Sequence, residues 1–302
     1  MKTALLSVQI TILLTLIASC AKESAKFKTD GGSDTDSDGD SDRDSDSNEN
    51  PCEPPDMLIV LDRTMSMHRQ PSGDPAPQNQ HELSKWYLAI NAIETVTTEY
   101  EERLRFGLEL FPRDPDDGSC VTLTERIDGK TATNSECDQG EMLISPNTST
   151  ASAIALALDP ETTLLCNTTP IGAGLNTAAT HLAKLKSPIR PQYALLVTDG
   201  QDTCETPDPV KRVQALAAAF VSTFVVGFDS SGKGIDPKTL NNMACAGRTA
   251  PDFDNNCVDQ GGGSYVAANP SGTMLFISAS DGVDLQNELG TVAGLVGCGV
   301  VQ

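Results

Sequence analysis

Residues Asp62, Thr64 and Ser66 place one carboxylate and two hydroxyls at alternate positions of the segment Asp62-Arg63-Thr64-Met65-Ser66. Small oxygen ligands at that spacing suit a hard divalent cation. They suit a nucleophile less well, because no histidine is placed to activate either hydroxyl. The segment follows directly on Leu58-Ile59-Val60-Leu61, an apolar run without polar alternation. Such a run predicts a strand over Met57–Leu61 that is buried on both faces, as in a parallel sheet. Ligand sites in open α/β sheets lie at the C-terminal ends of the strands, where this segment falls.

The remainder of the chain supplies elements able to hold such a strand. Beyond a polar, Pro-rich insertion from Met67 to Gln80, Leu83, Trp86, Tyr87, Ile90, Ile93, Val96 and Tyr100 recur at helical spacing. Leu104–Phe111 alternates as a strand at or near a sheet edge, and Pro112 to Asn147 reads as a long polar loop. Helices are predicted over Ala151–Leu158, Gly174–Leu185, Val210–Phe220, Asp236–Ala244 and Asp284–Val296. Strands are predicted over Tyr193–Thr198 and Ser222–Phe228, with Gly263–Ala267 as the last core strand and Met274–Ser278 as an added one. Strands alternating with helices predict a doubly wound, mostly parallel α/β sheet flanked by helices. No internal repeat occurs, and residues 52–302 read as one domain.

Asp62-x-Thr64-x-Ser66 resembles the first element of the metal-ion-dependent adhesion site of von Willebrand factor A domains. That family usually has Ser where Thr64 stands and often Gly where Met65 stands. Two more elements follow in the family's order. Thr169-Pro170-Ile171-Gly172, continuing into Ala173-Gly174-Leu175, is similar to its second loop, and Leu195-Leu196-Val197-Thr198-Asp199-Gly200 to its third. Taken singly, each also fits a helix-capping or strand-ending turn. The resemblance covers roughly Pro54 to the C-terminus and implies a Rossmann-type fold. By resemblance, Thr64 and Ser66 would coordinate a metal through their hydroxyls, Asp62 and Asp199 mainly through bound water, and Thr169 directly or through water. One position would remain for an outside ligand, typically a carboxylate of a partner protein. Two acids and three neutral hydroxyls make a ligand set of few charges, which suits Mg²⁺ or Mn²⁺ more than the alternative, Ca²⁺. The loops meet only if the strands carrying Asp62 and Asp199 lie side by side, as in the family. Thr64 adds a methyl group and a stiffer rotamer relative to Ser, and Met65 adds bulk beside the ion. Arg63 reads as a solvated or helix-capping charge and Asp202 as part of a surface turn. His68, His81 and His181 lack metal-ligand spacing.

The 302 residues include 42 acidic and 21 basic side chains, a formal net charge of −21. That balance argues against nucleic acid or an anionic membrane surface as partner, since both require a basic face. Nine of the acids fall between Asp30 and Asn50, against the single Arg43. Residues 20–51 therefore read as a solvated tether. Within it Asp34-x-Asp36-x-Asp38-Gly39 matches the start of a calcium loop, but Ser45 stands where the closing Glu is required. Met1-Lys2 and the apolar stretch Ala4–Ala18 predict an export signal, too short to span a membrane comfortably. Its end, Ile17-Ala18-Ser19-Cys20, resembles the bacterial lipobox. This implies a signal peptide over 1–19 and a chain held at the membrane by lipid on Cys20. Ala21 leans, by the same resemblance, to the outer membrane of a bacterial cell envelope.

Setting Cys20 aside leaves eight of nine cysteines, an even number in an exported chain, and so up to four disulfides. The absence of a CxxC pair argues against a zinc ribbon. If the second and third loops meet at one metal, a Cys166–Cys204 bond would tie them and restrict the movement by which many family members switch affinity. The other expected pairs are Cys52–Cys298 closing the domain's ends, Cys120–Cys137 stapling the long loop, and Cys245–Cys257.

No Gly-x-Ser-x-Gly, HExxH, Walker or Rossmann glycine pattern occurs, and Gly261-Gly262-Gly263 precedes a strand rather than a helix. Asp62 and Asp199 could serve phosphoryl chemistry around Mg²⁺, but the sequence pairs them with no basic clamp. The chain therefore reads as a non-enzymatic, lipid-anchored module that engages a protein partner through a metal. The alternative is a structural envelope or complex-assembly protein whose ion only holds the loops together. The insertion Met67–Gln80 and the loop Pro112–Asn147 are the candidates for partner specificity.

Overall fold

The apolar run ending in Asp62 forms strand β1 (Asp56–Asp62), every residue of which is buried. The computed structural model describes residues 52–204, 206–232 and 234–298. The expected signal peptide, Cys20 and the acidic tether with Asp34, Asp36 and Asp38 lie outside the described residues. In chain order the elements after β1 are α1 (Lys85–Tyr100), β2 (Arg105–Phe111), β3 (Val121–Thr122), α2 (Leu123–Ile127), β4 (Glu141–Asn147), α3 (Ala151–Ala157) and β5 (Leu164–Leu165). There follow α4 (Ile171–Leu182), β6 (Gln192–Thr198), α5 (Pro209–Ala218), β7 (Val221–Phe228), α6 (Pro237–Ala246), α7 (Phe253–Asn256), β8 (Cys257–Asp259), β9 (Tyr265–Ala267), β10 (Ile277–Ala279) and α8 (Gly282–Val296).

Six strands form one sheet in the order β10-β7-β6-β1-β2-β4. All neighbours are parallel except the β2–β4 pair. The fold is thus the expected doubly wound, mostly parallel α/β sheet. The unbroken apolar run of β1 follows from its central place, because successive side chains serve opposite cores. Met57, Ile59 and Leu61 meet Trp86 and Ile93 of α1 and Leu285 and Leu289 of α8 on one face. Leu58 and Val60 meet Leu175 of α4, Val213 of α5 and Met243 of α6 on the other. No helix of the described residues is long and apolar enough to cross a membrane.

Three sequence expectations are corrected. Pro112–Asn147 is not all loop: its end is the antiparallel edge strand β4, and Leu104–Phe111, expected at or near an edge, is the strand next to it. The apolar alternation of β4 is weak because its side chains are mostly half-exposed, and Pro146 is tolerated only because the edge needs no further ladder bond. A Cβ at Gly107 would lie 2.5 Å from Pro146 Cδ, so this crossing requires glycine. Residues Gly263–Ala267 do not supply the last core strand. β9 pairs only with β8 in a separate ribbon, turned by Gly261, Gly262 and Gly263 at positive φ. The sixth strand of the main sheet is β10, just beyond the centre of the Met274–Ser278 stretch.

The disulfides Cys52–Cys298 and Cys245–Cys257 are as expected. The other two are not: Cys120 bonds Cys166 and Cys137 bonds Cys204. The reason is a strand pairing with no local signal. β3 runs antiparallel to β5 with Val121 opposite Leu165, which sets Cys120 beside Cys166. Asn134 then accepts a 2.6 Å hydrogen bond from the Asn167 N–H, drawing the segment ahead of Cys137 over the same face. The long segment is therefore stapled to the second and third loops, one bond each, rather than to itself.

Candidate metal site

Parallel pairing of β1 with β6, Leu61 opposite Val197, brings the loops carrying Asp62 and Asp199 together. Asp62 is fully buried. Its Oδ1 accepts the Thr64 N–H at 2.8 Å, and its Oδ2 accepts the Thr198 hydroxyl at 2.6 Å. These bonds fold the first loop back on itself and join it to the third. Thr64 Oγ1 and Ser66 Oγ lie 2.8 Å apart, and Ser66 donates to Asp199 Oδ1 at 2.8 Å.

The second loop enters through backbone pairing. The Met65 N–H donates to the Cys166 carbonyl at 2.7 Å, and the Cys166 N–H to the Arg63 carbonyl at 3.0 Å. The Thr169 N–H donates to Thr203 Oγ1 at 2.8 Å, and the Thr203 N–H returns to the Thr169 carbonyl at 3.1 Å. A methyl group placed on Gly200 would lie 3.7 Å from Thr169 Oγ1 and 3.8 Å from Ser66 Oγ, so both hydroxyls border one small space. The structure thus gathers Asp62, Thr64, Ser66, Thr169 and Asp199 at the C-terminal end of β1 and β6.

Burial, reinforced by the negative charge of Asp199, pushes the Asp62 carboxyl up to about 7. Asp199 is also raised by burial, against the opposing pull of Lys85 and Ser66. Two neighbouring buried carboxylates need a counter-charge. Asp199 Oδ2 is buried and meets the ammonium of Lys85. Among the described residues, no group of three or more His, Cys, Asp or Glu side chains converges on a metal-sized space. Oxygen donors with few charges are the set that fits Mg²⁺ or Mn²⁺.

The model of the von Willebrand factor type A domain matches residues 56–260. The chain belongs to this family. No curated protein matches the sequence. Among solved structures the chain is similar to the PilB minor pilin from Streptococcus sanguinis, at 10% identity and a TM-score of 0.52, over 80% of this chain and 61% of the pilin. It is similar to proximal thread matrix protein 1 from the mussel byssus, at 14% identity and a TM-score of 0.50, over 81% of this chain and 49% of that one. It also matches manganese-loaded TRAP of Plasmodium vivax, at 15% identity and a TM-score of 0.48, over 80% of this chain and 72% of that one. The chain spans about half the length of the mussel protein. At 10% and 14% identity, the likeness to the pilin and to the mussel protein is one of fold alone.

Within this von Willebrand factor type A domain several residues do what the sequence did not announce. Arg63 is neither solvated nor a helix cap. It is buried, donating through Nε to the Pro112 carbonyl at 2.6 Å and pairing with Glu141 at 2.7 Å, so it braces β4 against the first loop. Asp202 is no ordinary surface turn. Half-buried and pushed up to about 6 by that burial, it accepts from the Cys204 N–H and faces the Ile171 and Gly172 amides that open α4. Of the histidines, His68 is buried, while His181 sits 3.0 Å from Ser145.

Four further residues border the site. Lys85 and Asp229 line an open cleft of about 770 Å³ together with Ser66, Thr169 and Asp199, and so do Arg69 and Arg126. Arg69 comes from the insertion after the first loop and Arg126 from α2. The cleft therefore carries the cationic groups that no local pattern placed beside Asp62 and Asp199. One signal was legible: Lys85 opens α1, where the helix dipole disfavours a cation.

Proposed function

We propose that this domain holds a divalent ion, Mg²⁺ or Mn²⁺, among Asp62, Thr64, Ser66, Thr169 and Asp199 and presents it to a carboxylate of a protein partner. The observation that carries this reading is the gathering of three hydroxyls and two buried carboxylates, of which Ser66, Thr169 and Asp199 line an open cleft. When bound, the ion supplies an electrophilic point for an incoming anion. Asp62 holds the first loop in place through Thr64 and Thr198, and Ser66 orients Asp199.

The rim supports an acidic ligand. Arg69 and Arg126 line the cleft, each tied through one guanidinium nitrogen to a nearby backbone carbonyl, Gly73 and Lys130 respectively. In a chain of net charge −21, these two arginines are local cationic groups beside the acids of the cleft that an incoming carboxylate can meet. The insertion and the long segment that supply Arg69 and Arg126 are the two proposed to set partner specificity. The alternative, an ion that merely clamps the loops, has less support, because the Met65–Cys166, Thr169–Thr203 and Ser66–Asp199 hydrogen bonds already join them. The module is read as a binding protein rather than an enzyme. The lipobox-like Ile17-Ala18-Ser19-Cys20 supports anchorage by lipid in a bacterial envelope, and Ala21 the outer membrane.

Calorimetric titration of the full chain with Mn²⁺ or Mg²⁺ tests the metal, with Asp62→Ala and Asp199→Ala as background for loose binding by the acidic tether. One saturable site lost in both folded variants supports the reading. No difference between wild type and variants overturns it.

A further inference from the structure

Lys85 is misplaced by every local rule. It follows the cap Ser84, whose hydroxyl accepts the Tyr87 N–H at 3.2 Å, and so puts a positive charge at the positive end of α1. Its side chain is 3% exposed, although lysine normally keeps its ammonium in water. Burying an ammonium is costly unless a carboxylate meets it. The one that meets it is Asp199, at Oδ2, the oxygen that Ser66 leaves free. The same positive charge acts on Asp229. The Asp229 carboxylate is held by the Ser231 N–H at 2.8 Å and by the Gly234 N–H at 2.6 Å, and it lines the same cleft.

We propose that the Lys85 ammonium is a tethered cation of the metal pocket: it neutralises Asp199 in the absence of a divalent ion, must yield when one enters, and so holds the ion affinity down. The proposal rests on the metal reading above and adds a determinant that the five-residue motif lacks. Charge bookkeeping gives it a direction. Asp62, Asp199 and Asp229 bring three negative charges, and Lys85 reduces them to two, the number that one divalent ion balances. Removing the ammonium removes a like-charge neighbour and so leaves an excess negative charge beside the ion, which tightens ion binding. Asp229 makes the exchange feasible, since an ammonium moving off Asp199 stays beside a carboxylate. An ammonium that draws on Asp199 also leaves the ion less neutralised, and so more open to a partner's carboxylate.

The test is Mn²⁺ binding to the full chain, read from the loss of the free-ion electron paramagnetic resonance signal, for wild type, Lys85→Gln, Lys85→Met and Lys85→Arg. Asp62→Ala supplies the background of the acidic tether, and thermal melts in chelator show which variants fold. Lys85→Gln keeps a donor toward Asp199 without the charge, so it provides the comparison if Lys85→Met does not fold. Both neutral variants should bind the site ion about tenfold more tightly than wild type, or more, and Lys85→Arg should stay near wild type. Equal or weaker binding in a folded neutral variant overturns the role of Lys85 and leaves the metal reading standing. Failure of wild type and all variants to exceed the Asp62→Ala background overturns both. Binding seen only in the neutral variants supports the tethered cation in its strongest form.

Discussion

Substituting Asp62 by Asn should stabilise the ion-free protein while destroying the ion site. Burial and the neighbouring Asp199 charge raise the Asp62 carboxyl from 3.8 to about 7. In the unfolded chain the group titrates near 3.8, so between these values the folded state holds a proton that the unfolded state has released. Stability contributed by that proton is complete below 3.8, falls as pH rises, and is lost above about 7. The interval corresponds to about 4 kcal/mol of stability lost at pH 8. Asn avoids this cost. Its amide oxygen can accept the Thr64 N–H as Oδ1 does now. Its NH₂ forces the Thr198 hydroxyl to accept instead of donate, a rearrangement worth about 1 kcal/mol against it. The net gain expected in chelator at pH 8 is about 3 kcal/mol, or roughly 5–10 °C in melting temperature for a domain of this size. At pH 5, where folded Asp62 is protonated, the gain should shrink to within about 1 kcal/mol. Saturating Mn²⁺ should reverse the order at pH 8, since only wild type binds it, and an ion at a thousandfold its Kd contributes about 4 kcal/mol. Thermal melts of both proteins at the two pH values, with chelator and with Mn²⁺, measure all four numbers. An Asp62→Asn protein less stable than wild type in chelator at pH 8, or a gain independent of pH, would refute the reasoning.

Four other outcomes are expected. Removing the Cys137–Cys204 bond by paired serine substitution should cost up to about 4 kcal/mol, because it frees a loop of 67 residues in the unfolded chain. Peptide mapping should recover Cys120–Cys166 and Cys137–Cys204, and a Cys166–Cys204 peptide would contradict the strand pairing that sets them. Arg63→Ala should cost about 2–3 kcal/mol in a urea titration, because it removes two charge-assisted hydrogen bonds, and Glu141→Gln should cost less because Glu141 is partly exposed. Glu109 is buried, with no hydrogen-bond partner for either carboxylate oxygen among the described residues, and burial raises it well above its ordinary value. Its contribution also falls as pH rises, so Glu109→Gln should raise the melting temperature more at pH 8 than at pH 5.

The central strands were legible because a strand buried on both faces writes itself as a continuous apolar run. Leu58–Leu61 and Ala194–Val197 serve two cores at once. The same logic exposed α1 and α8, whose apolar residues repeat at helical spacing. Edge strands carry less signal, since one flank and part of each face meet solvent. β4 and β10 were accordingly missed or misplaced, and β9 was credited with a place in the sheet that it does not occupy. The identities of Asp62, Thr64, Ser66, Thr169 and Asp199 were readable in the linear chain through their resemblance to a known motif.

Which groups surround those five residues was decided by tertiary structure alone. The ends of β1 and β6 set the ligand-bearing loops, and their positions follow from the sheet register. The remaining contributors arrive from elements with unrelated local patterns: Lys85 from the first turn of α1, Asp229 after β7, Arg69 from an insertion, and Arg126 from a five-residue helix. Cysteine pairing likewise depended on the two-residue β3–β5 contact, too short to leave any periodicity. A sequence specifies periodic surfaces locally, because each residue's neighbours three or four positions away share its face. It specifies a meeting of loops only through the summed packing of the whole domain. The five proposed oxygen ligands were therefore written in the chain itself, while the cation beside Asp199 and the bonds that hold the loops appeared only in the folded molecule.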